Sequence, residues 1–514
     1  MSFRFAPLFL CILLWSYGPC CARAQGVPPP TAAGIARPSF EYTNPQAPDY
    51  LRAGLEQVVL LGLGFTQYAA NHDLNSVDWD FTYTWTGLRD KLSPRGYSFD
   101  TNGFDTNFIR HPAAGTTYYW AARSNRLSIL EALAAAFISS TLWEYIGELR
   151  ERASINDILV TPLTGMVLGE LTLQLGAFFD RSCDLASNRV LGAVLGPIKT
   201  LHDALDRATP LREVRCDRYG LSRRGAHSFE LSLVAGVVST VAGPRVPARA
   251  LTRFELHTRI LALESYGSPG EGVLHFMDGN VSELRLNSSF ADADWNDFTL
   301  RATFMPLGLH YRVIDADTRG YELLFGLLLG TEYSVHRFGP WSGPSRLRDR
   351  YFELDVPGVG LHYRRLWGEV KLALELQAHA VFVGIDALAL PEARALPTVP
   401  ALPTVTRADG YNYAVGVRIE PRASLSYRNL ELGLVFAAVR VTSITVNDRF
   451  EERSDYARDN EQRALANLWL GVGPNTWPVR LTVQASWLQR WGKLGQASAQ
   501  RAELTAAGGV SAVF

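Results

Sequence analysis

Between residues 111 and 157 the chain carries side chains whose types could do acid–base chemistry. Glu144 and Glu148 are four apart, so a helix would place them on one face, with Ser140 one turn earlier. Asn156 and Asp157 follow just beyond the next turn, and His111 and Arg123 precede the helix. Folded together, these residues would bring a base, carboxylates and a cation into one cluster. Read as chemistry, that is a general acid–base pair or a carboxylate–histidine metal site. Read as structure, it is a buried ion-pair and hydrogen-bond network joining two parts of the fold. The structural reading is favoured, because paired charges are commoner than catalytic ones and familiar motifs are missing. HExxH, GxSxG and Glu-x-x-His do not occur, and Gly62-Leu-Gly64 lacks the rest of a dinucleotide loop. No cofactor or metal is expected.

Two helices must position this cluster, at about 127–149 and 162–179. Ser128-Ile-Leu-Glu131 forms a capping box, and Ser154-Ile-Asn-Asp157 offers the same arrangement for a short helix between them. Thr161-Pro162 supplies an N-cap with proline at the first helical position. Gly165-Met-Val-Leu-Gly169 lets another backbone come close. Both helices are too apolar to lie free in water and too charged to span lipid alone. They must therefore be buried against protein, inside a barrel lumen or as a periplasmic cap beneath it.

The barrel is predicted from residue 228 onward, where apolar and polar residues alternate. In KLALELQAHAVFV (371–383) Leu372, Leu374 and Leu376 oppose Glu375, Gln377 and His379; YNYAVGVRIE and VRLTVQASW alternate likewise. Twelve strands are predicted: 228–240, 251–264, 272–286, 297–315 (broken near Pro306), 320–335, 351–365, 369–384, 411–426, 430–443, 462–473, 477–490 and 500–514. Many are longer than the roughly five or six residues usual in soluble sheets, whereas a tilted transmembrane strand needs about 9–11 for the apolar zone alone. Tight connections at 316–319, 366–368, 427–429 and 474–476 alternate with longer ones at 287–296, 336–350, 385–410, 444–461 and 491–499. This is the pattern of periplasmic turns and extracellular loops. The 385–410 loop repeats ALPTV and reads as an extended surface arm. His257 and His379 fall on the lumen face. A large soluble β-sandwich is the alternative, and it rarely uses strands this long.

The N-terminus sets the compartment. MSFR is a short basic start, FAPLFLCILLWSYG is apolar over signal-peptide length, and Ala22-Arg23-Ala24 is an A-x-A cleavage site. Cys20 and Cys21 raise a lipoprotein reading, but Tyr17 and Pro19 fit a lipidation site poorly. Cys183 and Cys216 remain after cleavage and suggest one disulfide in an exported chain. Lys and Arg number 50 against 51 Asp and Glu, with no basic run interleaved with aromatics, so a nucleic-acid partner is not expected. The expected partners are outer-membrane lipid and, secondarily, a periplasmic protein.

FDTNFIRHPAAGTTYYWAARSN, then WEYIGE, then SINDILVTPLTGMVLGE, within residues 104–180, resembles the bacterial domain-of-unknown-function family 3943 (DUF3943). Trp120 and Arg126 stand where smaller or more polar residues would be expected. The resemblance implies an uncharacterised envelope protein and brings no established reaction. The chain thus divides into a signal peptide (1–24), a segment of uncertain helix or strand character (25–103), the helical block (104–180), a connector (181–227) and the barrel (228–514). The overall expectation is a mainly β outer-membrane protein: a roughly twelve-stranded antiparallel barrel with a small helical plug or periplasmic cap. Its leading role is structural or transport-like, with the helices sealing or capping the lumen. The rival is an outer-membrane enzyme acting on lipid or lipopolysaccharide, with His111 as base and Glu144, Glu148 or Asp157 as acid or orienting carboxylate.

Overall fold

The computed structural model describes residues 34–38, 40–44, 46–71, 80–99, 102–214, 216–340, 347–396, 410–444, 459–473 and 478–514. The expected signal peptide and most of the ALPTV repeat lie outside the described residues. Twelve long strands form the wall. They are β1 Ala226–Ala242, β2 Arg249–Leu261, β3 Val281–Ala291, β4 Asp294–Ile314, β5 Arg319–Arg337 and β6 Arg348–Trp367, then β7 Val370–Asp386, β8 Tyr411–Tyr427, β9 Leu430–Ser443, β10 Asp459–Val472, β11 Val479–Leu494 and β12 Ala497–Val513. Each pairs antiparallel with its neighbour in sequence, and β12 returns to β1, so the sheet closes and presents no open edge. The expected twelve-stranded antiparallel barrel is present, preceded by a helical segment. At the end where the wall starts and finishes, Phe229 and Phe514 exchange backbone hydrogen bonds of 3.1 and 2.9 Å.

Three details depart from expectation. The predicted strand 272–286 is two pieces: a short strand Gly270–Phe276 pairs the C-terminal part of β4, and β3 pairs its N-terminal part. The two stack end to end along β4, whose register shifts between Phe304 and Leu307, where Pro306 cannot donate to the ladder. The longer connections expected at 287–296 and 491–499 are two-residue turns, because pairing runs on to Ala291↔Asp294 and Leu494↔Ala497. Asp292 and Ala293 both adopt positive φ, 50° and 69°, which suits the twist of a tight hairpin. Pro306 does not split its strand, so the even strand count stands.

The two faces of the wall are told apart by ion pairs. Arg463 on β10 reaches Glu332 on β5, Arg422 on β8 reaches Glu283 on β3, and His336 on β5 reaches Glu503 on β12. Only an interior path joins such distant strands, so this row of residues faces the lumen. The neighbouring row faces out. It reads Phe229, Thr258, Leu284, Ala302, Thr331, Leu354, Phe382 and Val415 across paired strands.

The helices ahead of the wall are α1 Tyr50–Asn71, α2 Trp85–Lys91, α3 His111–Ser124, α4 Ile129–Leu142, α5 Ile155–Arg181, α6 Ala186–Leu195 and α7 Pro197–Asp206, and a short helix, Leu390–Arg394, follows β7. Leu388, Ala389 and Ala393 are buried there, so the described start of the 385–410 connection is packed rather than an extended surface arm. The segment 54–70, ambiguous in sequence, is helical. Ser128 and Glu131 form both halves of the capping box that opens α4. The two helices expected around Ser154 and Thr161 are one: Ser154 caps α5, and Pro162 sits inside it. Gly115 of α3 and Gly165 of α5 meet face to face, and a Cβ on Gly165 would lie 2.2 Å from the Gly115 carbonyl carbon. Cys183 and Cys216 are joined in a disulfide with Cα atoms 6.0 Å apart.

The helical block ahead of the wall stands neither in the lumen nor beneath it, but against the outer face of the wall. Met166, Val167, Leu171 and Phe178 of α5 share one apolar cluster with outward-facing Ile260, Ala302, Phe304 and Leu329. Further along, Phe104, Phe108 and Val160 pack with outward-facing Phe352, Leu354, Tyr411 and Tyr413. The physical reason is polarity: arginines and carboxylates line the lumen around a cavity of about 280 Å³. The apolar surface that these helices need lies outside.

Candidate functional site

Most of the predicted cluster assembles where α3 and α5 begin and α4 ends. Ser154 leads the chain into α5, and its side chain accepts the Asp157 amide at 3.1 Å. That turn presents the Asp157 carboxylate to His111 Nδ1 in a hydrogen-bonded pair. Asn156 Nδ2 donates to the same carboxylate oxygen at 3.1 Å, and Ser140 Oγ donates to the Asp157 carbonyl at 2.7 Å. Glu144 is fully buried, and one of its oxygens accepts the Ser154 amide at 2.7 Å. Glu148 turns away, with its carboxylate accepting from the Trp143 indole at 3.0 Å.

Arg123 is not part of this group. It lies twelve positions after His111 on the same helix, roughly 18 Å along the axis. There its Nε donates to Glu170 at 3.0 Å and its Nη2 to Asp278 at 2.7 Å. The Tyr119 hydroxyl and Gln174 complete the shell of Glu170 at 2.6 Å each. This second network ties α3 and α5 to the connection ahead of β3.

Sequence reasoning missed Lys91, the last residue of α2. Its ammonium is buried and donates to the carbonyls of Glu144 and Glu148, satisfying the frayed end of α4. Burial lowers its pKa from the ordinary lysine value, against the raising influence of Glu144, Glu148 and Glu151. Glu170 was also missed, although a lone acid inside LGELTLQLG is the signal that could have found it: such a residue needs a buried partner.

Chemically, a histidine held at Nδ1 by a carboxylate has a fixed tautomer, which suits either a proton acceptor at Nε2 or a rigid structural pair. Ser140 donates to a backbone carbonyl rather than to His111, so it is not poised as a nucleophile. Among the described residues no group of His, Cys, Asp and Glu has the arrangement of a metal site.

Residues 96–198 match the profile of a family described as "Domain of unknown function (DUF3943)", the family that the sequence resembles. No curated protein matches the chain. Similar solved structures include the translocator domain of autotransporter NalP from Neisseria meningitidis, at 11% identity over 58% of this chain and 91% of that one, with a TM-score of 0.21. The outer-membrane protein OmpT of Vibrio cholerae is similar at 8% identity over 57% and 99%, with a TM-score of 0.21. OccK2 of Pseudomonas aeruginosa, solved with glucuronate, is similar at 10% identity over 55% and 97%, with a TM-score of 0.20. No functional inference follows from these likenesses.

Proposed function

We propose that this is an integral outer-membrane protein, exported through a cleaved signal peptide. In this reading the barrel is a scaffold rather than a conduit, and the helical block on its outer wall works in the plane of the lipid. The observation that carries the reading is the polarity of the assembly. Its interior is lined with ion pairs, and its remaining exterior is apolar. On the uncovered wall, Leu231, Leu233, Val417, Ile419, Leu432, Leu481 and Val483 are exposed. On the helical side, Leu51, Val58 and Leu63 of α1 and Leu130 and Ile138 of α4 are exposed as well. A face of that size and composition belongs against acyl chains. Arg123 of α3 and Glu170, midway along α5, pair with each other, as charges at membrane depth must. Lipid is accordingly the expected partner.

A second reading is favoured by one feature, the His111–Asp157 pair. Here His111 would act as a general base toward a lipid ester or lipopolysaccharide, with Asp157 orienting it. The two readings separate in one experiment. If the pair is structural, Asp157→Asn lowers the temperature at which the folded band converts on a gel, and His111→Ala leaves the envelope lipid profile unchanged. A changed lipid profile in His111→Ala, with the heat-modifiable band intact, would establish the enzyme reading instead.

A further inference from the structure

The C-terminal end of α5 opens into a cavity of about 380 Å³ beside α7 and the segment before β1. Arg181, the last residue of α5, lines it and is only 6% exposed. Its Nε and Nη2 atoms have no hydrogen-bond partner. The other cations around the cavity are all paired. Lys199 holds Asp180 and Asp203 at 2.6 and 2.7 Å, and Arg224 holds Glu41 at 2.8 Å. Arg212 pairs with Asp184 at 3.1 Å and Arg37 with Glu264 at 3.0 Å. Arg181 alone among these makes no ion pair within 4 Å among the described residues, although the carboxylates of Glu41, Asp180 and Glu213 also line the cavity. Its guanidinium carbon lies 5.3 Å from the centre of the Phe178 ring.

A buried guanidinium with two nitrogens left without a hydrogen-bond partner is costly, and a helix C-terminus offers only partial charge in compensation. The fork of a guanidinium matches the tetrahedral oxygens of phosphate by two parallel hydrogen bonds. We infer that this cavity is a phosphate-binding site in which Arg181 supplies the central bidentate contact.

The rim suggests where the phosphate comes from. Val214 is 95% exposed and Leu211 is 45% exposed, and both line the cavity. An apolar lip beside a buried cation suits the glycerol and first acyl carbons of a phospholipid better than a free ion. That choice of source rests on the membrane reading above; the phosphate site itself does not.

The test uses the full mature chain purified in a neutral, phosphate-free detergent. Thermal unfolding is followed while dihexanoylphosphatidylethanolamine, inorganic phosphate or dihexanoylglycerol is titrated. The expected result is a saturable stabilisation by the phospholipid, none by the phosphate-free glyceride, and at least a tenfold weaker apparent affinity in Arg181→Gln. Val214→Glu places a negative charge at the exposed rim without disturbing the interior, and it should weaken binding about tenfold. This second variant decides the matter if Arg181→Gln does not fold. Saturation by inorganic phosphate, with Arg181 dependence and no added effect of the lipid, would support the site and overturn the lipid source. No saturable response to either phosphate probe, or equal affinity in wild type and variants, would overturn the proposal. Membrane integration is read separately from the heat-modifiable band of the same preparation, so failure here and failure there are distinguishable.

Discussion

At the scale of single residues, the molecule is governed by where its charges find partners. Arg418 illustrates the lumen: it bonds Glu332 at 3.0 Å, Glu353 at 2.9 Å and Glu420 through a second nitrogen at 2.5 Å. Removing one member leaves the others buried and uncompensated, so Arg418→Met should cost about 3–5 kcal/mol. The check is a urea titration of the folded barrel in detergent, where an unchanged midpoint would contradict the assignment. Parts of this were readable in advance. His257 and His379 face the lumen beside Glu283 and Asp355, as alternation predicts. His111, Ser140, Glu144 and Asp157 converge because helix spacing and a turn bring them together. Arg123 was misplaced for a reason that helical rise makes plain: two residues twelve apart on one helix cannot share a site. Lys91 could not be found, since nothing in its own neighbourhood signals a distant helix end.

At the scale of elements, strands were legible and helix placement was not. Period-two alternation depends only on one face being apolar, and eleven wall strands were found from it, while the predicted 272–286 merged a short strand with the start of β3. The turns at Asp292–Ala293 and Gly495–Gln496 were missed because polar residues at a strand end look the same as loop. Helix existence was likewise legible from Ser128 and the apolar runs, but Pro162 disguised one helix as two. What the helices pack against was not legible, because an apolar outer wall reads identically whether lipid or a helix covers it. The α3–α5 crossing is the joint that locks the block together. Its closeness rests on Gly115 and Gly165, and Gly165→Leu should force the helices apart. The expected outcome is loss of protection of α3 and α5 in hydrogen exchange, with the barrel strands unaffected. Equal loss across the barrel, or none in the helices, would contradict this picture of a separate helical unit.

At the scale of the whole molecule, the barrel and the helical block exchange the roles that the sequence suggests. Ion pairs between side chains of the wall itself cross the lumen, and helices α1 to α7 leave it alone. The purified chain should therefore give no steady conductance in a planar bilayer, and deleting contacts between α5 and the wall should not open one. A stable open channel would mean that the ion-pair network is not the seal. The central claim is that the helical block lies on the outside of the wall. Phe178 of α5 and outward-facing Phe229 of β1 have ring centroids 5.4 Å apart, while Glu230 beside it points inward. A short thiol cross-linker applied to outer membranes carrying Phe178→Cys with Phe229→Cys should join the two positions, and Phe178→Cys with Glu230→Cys should stay unlinked. The reverse pattern would put the helices in the lumen and contradict the account.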